Sequence, residues 1–156
     1  LWSRGLGDVY KRQIKNIVVV GGTNSLEVGD FLADNNIKIA LEQPHNLPSM
    51  EDEDIKSRFR LASQLINKGV TVAVDATGQM TRMNTRNLPF FAGSFAAYGV
   101  EKEKAVETIT LNAAKVLGIE DNYGSIEVGK SATLFISHGD ALDMRTNNLS
   151  HAYIDG

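Results

Sequence analysis

The amino-acid sequence predicts an α/β fold built on a short parallel sheet. Three observations predict it. Residues 14–20, 37–41 and 70–74 are short apolar runs rich in β-branched side chains. The stretches between them carry apolar residues at helical spacing. The order β-α-β-α-β implies parallel strands joined by right-handed crossovers.

Taken in order, residues 14–20 read as a buried strand closed by Gly21-Gly22. Asn24, with Glu27 three residues on, has the spacing of an approximate capping box. Val28, Phe31 and Leu32 then form an apolar stripe that ends at Asn35-Asn36. Residues 37–41 are a second strand, followed by a polar loop over 42–56. A helix over 57–68 has the stripe Phe59, Ala62, Leu65 and Ile66, and Gly69 suits the position just past its end. Residues 70–74, "VTVAV", make a third strand. The strands lack polar alternation, as expected when both sheet faces are covered. A loop runs to Arg86. Asn87-Leu88-Pro89 then opens a helix with proline in its first turn, and Gly99 stops it. Two short helices over 101–108 and 110–117 end at Leu117-Gly118. The unit Gly124-Ser125-Ile126-Glu127-Val128-Gly129-Lys130 leads into strands over 132–137 and 149–154.

Composition narrows the function classes. The chain has 156 residues, 42% hydrophobic and 22% charged, with a net charge of −3. That is ordinary globular composition. With no basic block, nucleic acid is not an expected partner. No apolar run is long enough to be a membrane segment. The absence of cysteine excludes disulfides and thiolate metal sites. Residues 1–13, "LWSRGLGDVYKRQ", have no structural period and no signal-peptide core. They read as a non-native, adapter-derived leader joined to a truncated gene, or else as a native but disordered leader.

The last third, "EKEKAVETITLNAAKVLGIEDNYGSIEVGKSATLFISHGDALDMRTNNLSHAYIDG", resembles the C-terminal end of metal-dependent amidohydrolases, in particular the imidazolonepropionase-like branch. The pieces "IVVVGG", "IKIALEQPHNLPSMEDED", "GVTVAV" and "MNTRNLPFFAG" extend the likeness back to residue 14. The resemblance implies strands six to eight of a (β/α)8 TIM barrel and its closing helices over 14–118. It further implies part of a small β-sandwich composite domain over 119–156. Strands six and eight would be open edges.

The resemblance also implies an activity. Amidohydrolases hydrolyse carbon–nitrogen bonds, and this chain would be part of one acting on a cyclic or linear amide, or on a cyclic imide. One or two divalent ions, zinc in the type expected, activate water and polarise the carbonyl. An Asp after strand eight shuttles the proton, and a His follows strand six. Here Gly21 stands at the strand-six position. The shuttle position aligns with Gln79 through "MNTRNLPF" or with Thr77 from the strand start. A Gln amide cannot act as a general base near neutral pH. Asp75 is the nearby carboxylate, either a substitute at the site or a turn residue capping 76–78. His45, after strand seven, is either a substrate contact or auxiliary ligand, or a loop histidine bonded to backbone. Arg86 and Asn87 either contact a substrate carboxylate or serve as a surface arginine and a helix cap. The acidic run 51–54 reads as a solvated loop. His138 and His151 read as surface or strand residues. No metal is expected on this chain alone. The missing ligand positions keep open a second reading, a catalytically silent relative kept for binding or assembly.

Overall fold

The computed structural model describes residues 16–48, 51–76 and 81–156. Three strands, β1 (Val18–Gly21), β2 (Lys38–Glu42) and β3 (Val72–Asp75), form a parallel sheet in the order β1-β2-β3. The register sets Val18 opposite Lys38, Ile39 opposite Val72 and Glu42 opposite Asp75. The helices are α1 (Gly29–Asp34), α2 (Ser57–Asn67), α3 (Leu88–Ala97), α4 (Lys102–Glu107) and α5 (Leu111–Leu117). Strands β4 (Leu134–Ser137) and β5 (Leu149–Tyr153) pair antiparallel as a separate ribbon.

The core lies on one face of the parallel sheet. Ile39, Leu41 and Val72 pack there with Leu61, Ala62 and Leu65 of α2 and with Ala92 and Phe95 of α3. Because side chains alternate along a strand, Lys38, Ala40 and Glu42 point the other way and are only half-buried. Thus β2 does alternate, contrary to the expectation from its sequence. On that second face, Val20, Ala40 and Ala73 form one cross-strand row. Val20 is 63% exposed, whereas Ala73 is buried.

The edge of β3 is not bare. The Val74 N–H donates to the Thr108 carbonyl at 3.1 Å, and Asn112 Nδ2 donates to the Val72 carbonyl at 3.0 Å. Both partners are buried. The corner between α4 and α5 therefore takes up ladder groups that the sequence left unpaired.

Three local expectations are corrected. The Asn24 side chain makes no cap bond, because the segment begins as a 3-10 turn, Ser25–Val28. Ser25 Oγ instead donates to the Gly22 carbonyl at 2.6 Å. In this tighter winding, Val28 and Phe31 stay exposed, and Leu32 carries the burial. Asn87 also makes no side-chain cap to α3; a second 3-10 turn, Thr81–Asn87, feeds that helix directly. The acidic run is not merely solvated. The Asp54 carbonyl accepts the Ser57 N–H at 2.8 Å, and Glu53 accepts the Ser57 hydroxyl at 2.9 Å. These groups satisfy the start of α2, where negative charge is favourable.

The ribbon is tied back by the loop over 138–148. Leu142 inserts into the main core, and Lys102 Nζ meets Asp140 at 2.6 Å. Both ribbon strands keep apolar side chains exposed, among them Phe135, Ile136 and Leu149. An apolar groove of about 580 Å³ runs between α5 and β4, past Leu117, Tyr123, Ile126 and Phe135.

Candidate active site

The three parallel strands end side by side, and their last residues are where polar chemistry gathers. At the end of β1, Gly21 and Gly22 have φ of +90° and +64°. A Cβ at Gly22 would also stand 2.4 Å from Ile39 Cδ1. The positive φ at both positions favours glycine, and neither residue offers a ligand side chain.

At the end of β2, Glu42 is held from two sides. Its Oε1 accepts from Asn46 Nδ2 at 2.6 Å, and its Oε2 lies 3.5 Å from Arg58 Nη1. The Arg58 side chain is only 11% exposed, and its Nε lies 3.6 Å from Glu53 Oε1. Gln43 Nε2 donates to Asn46 Oδ1 at 3.4 Å. A guanidinium flanked by two carboxylates fixes both of them in place. The reading from sequence missed Glu42 and Arg58. The signal was present in the alternation Ile37-Lys38-Ile39-Ala40-Leu41-Glu42, which turns Glu42 away from the core.

Asp75 is the last residue of β3, not the first of the following turn, and it is half-buried. It stands opposite Glu42 in register, so the two carboxylates occupy adjacent positions on one face. Gln79 and Thr77 lie outside the described residues, as does the turn at 77–78.

His45 leaves this row for the helical side. Its Nε2 is 2.8 Å from Ser94 Oγ on α3. Its ring lies against Phe59 of α2 and Phe91 of α3, at centroid distances of 5.6 and 5.4 Å. Desolvation at these packed edges lowers its pKa below the ordinary histidine value. The residue as a whole remains exposed. Arg86 is exposed and Asn87 half-buried. Among the described residues, neither is hydrogen-bonded to Glu42 or His45.

The donor set can be tested against a metal ion. A catalytic zinc takes about three protein ligands. Here the strand ends offer Gly21, which has none, Glu42, already engaged by Asn46 and Arg58, and Asp75. His45 Nε2 is engaged by Ser94. No group of three metal-ligating side chains occurs among the described residues. The described residues do not make up a zinc site.

Parallel α/β barrels place their chemistry at the C-terminal strand ends, and the layout here has that form. The chain belongs to the amidohydrolase family, whose family model matches residues 12–156. It is 27% identical over 145 residues to the imidazolonepropionase of Fusobacterium nucleatum, covering 86% of this chain and 35% of that protein. It is 30% identical over 86 residues to the imidazolonepropionase of Syntrophobacter fumaroxidans, covering 54% of this chain and 20% of that protein. Among solved structures, an amidohydrolase from Thermotoga maritima aligns over 97% of this chain and 38% of its own, at 25% identity and a TM-score of 0.80. An adenosine deaminase from Xanthomonas campestris with bound zinc shares the fold, at a TM-score of 0.63 and 23% identity, covering 98% of this chain and 37% of that one. The chain thus spans between a fifth and two-fifths of the length of these relatives. Among the described residues, no helix is long and apolar enough to cross a membrane.

Proposed function

We propose that this chain is the C-terminal part of a metal-dependent amidohydrolase that cleaves non-peptide carbon–nitrogen bonds in a small cyclic or linear amide, or a cyclic imide. In this reading β1, β2 and β3 are the sixth to eighth strands of a (β/α)8 barrel, and α3 to α5 close it over residues 14–118. Residues 119–156 are then one part of a composite β-sandwich. The exposed apolar side chains of β4 and β5 and the groove beside α5 support that assignment.

The observation that carries the reading is the row of strand ends in register, with Glu42 and Asp75 adjacent on one face. The metal, when bound, supplies an activated water. This chain's described residues do not form its ligand set, so in this reading the donors lie on barrel strands outside the chain. What this chain contributes is a carboxylate face. Asp75 is the proton-handling carboxylate, able to take a proton from water and return it to the leaving nitrogen. Glu42, fixed by Arg58 and Asn46, accepts a substrate N–H. Arg86 and Asn87 approach from the turn after β3 and suit a substrate carboxylate. Gln79 offers only an amide. His45, in the loop after β2, packs on the helical side.

A second reading, a catalytically silent relative kept for binding or assembly, is favoured by one observation. Gly21 stands where the resemblance calls for histidine, in a turn that suits glycine. The polypeptide encoded by the complete reading frame separates the two. Hydrolysis of a cyclic imide or amide that needs zinc supports the enzyme. Zinc-free, inactive protein that still binds the same compounds supports the silent relative.

A further inference from the structure

The Ser94 hydroxyl has one proton and two close partners. It lies 3.0 Å from the Phe90 carbonyl, one turn back on α3, and 2.8 Å from His45 Nε2. A carbonyl oxygen can only accept, so the geometry fits a Ser94 proton given to Phe90, the usual back-bond of a helical serine. Ser94 Oγ must then accept from His45, which requires a proton on Nε2. In that arrangement the neutral ring is the Nε2–H tautomer, with the Nδ1 lone pair unprotonated.

The ring is also fixed in direction. Phe59 meets it at 56° and Phe91 meets it edge-on at 63°, while Tyr98 stacks behind Phe59 at 4.8 Å. No competing charge lies on α3, which has no titratable side chain between Leu88 and Ala97. On α2, Arg58 is held by Glu42 and Glu53, and Arg60 by Asp54. Nothing in that set supplies an anion to hold a second proton on the ring.

We propose that Ser94 is a positioning residue that sets the tautomer of His45, leaving Nδ1 as an oriented, unprotonated acceptor. A histidine whose second nitrogen is fixed in this way presents its other nitrogen as an acceptor in one direction. The matching ligand group is an N–H donor, as in an amide or cyclic imide. Only the choice of that ligand class rests on the amidohydrolase reading. The tautomer itself does not.

The test uses the 156-residue chain, with nitrogen-15 NMR of the imidazole recorded above the titration of His45. The expected spectrum has a protonated Nε2 and an unprotonated Nδ1. Ser94→Ala is expected to lower the ratio of the two tautomers about fivefold, the effect of losing one ordinary hydrogen bond. Ser94→Thr, which keeps the hydroxyl, should restore it. A wild-type His45 protonated on Nδ1 overturns the proposal, and so does a ratio unchanged in Ser94→Ala. If Ser94→Ala does not fold, the wild-type spectrum and Ser94→Thr still decide the matter. No outcome depends on hydrolytic activity, so failure here is distinct from failure of the proposed reaction.

Discussion

The backbone carbonyl of Leu142 lies so close to Gly93 that a Cβ on residue 93 would stand 2.3 Å from the oxygen. Gly93 is in the interior of α3. Two opposing effects therefore act on Gly93→Ala. Helix propensity favours alanine by about 1 kcal/mol. The clash is with backbone, which cannot rotate away, and overpacking costs about 1–3 kcal/mol. The clash wins. Gly93→Ala should lower unfolding stability and loosen the 138–148 loop, as read by denaturant titration and hydrogen exchange. A stabilised variant would mean that Leu142 does not dock there.

Asn112 tests the covered edge of β3. Its amide donates to the Val72 carbonyl from a buried position. Asn112→Ala leaves that carbonyl without its partner and should cost about 1–3 kcal/mol. Exchange of the Val74 amide, bonded to Thr108, should rise with it. Unchanged stability and exchange would show that the α4–α5 corner does not protect the strand.

Two groups set two acid windows. The Arg145 guanidinium and backbone N–H hold Asp143 well below the usual carboxylate range, from 3.8 to about 2. A depressed carboxylate stabilises the fold above its unfolded pKa, so this contribution is lost as pH falls from about 4 toward 2. His45 is also depressed, by desolvation. The unfolded chain then binds its proton more readily, so stability is complete above about pH 6.5 and falls as pH drops through the lowered value. Unfolding curves between pH 7.5 and 5 should show the upper window in the wild type and lose it in His45→Gln. An equal slope in both proteins would remove His45 as its source.

Zinc should not copurify stoichiometrically with this chain. Glu42 and His45 are already engaged, and Gly21 offers no donor. Elemental analysis after dialysis checks this. About one zinc per chain would mean that the strand ends rearrange into a ligand set.

Much of the parallel layer was legible because its signals are local. Three β-branched runs, each bounded by Gly or Asn, marked the strands, and Leu65 and Ala62 sit on the buried face of α2 as their spacing implied. The Val28, Phe31 and Leu32 stripe misled, because helical spacing was applied to a segment that is partly a 3-10 turn. Leu142 was invisible in "HGDALDMRTNN", since its burial comes from docking on a helix about fifty residues earlier. Asp75 and His45 were singled out from sequence by their places near strand ends. Glu42 was passed over because its partner Arg58 lies on the next helix, and Ser94 because a helical serine carries no signal of a distant histidine.

The central claim is that the strand-end face of Glu42 and Asp75 is the reacting face of a carbon–nitrogen hydrolase. Its most direct test is kcat/KM for a cyclic imide or amide substrate, measured on the zinc-loaded product of the complete reading frame, with Asp75→Asn beside the wild type. The claim predicts a loss on the order of 10² or more, as for a general acid–base group. An active enzyme indifferent to Asp75→Asn would contradict it.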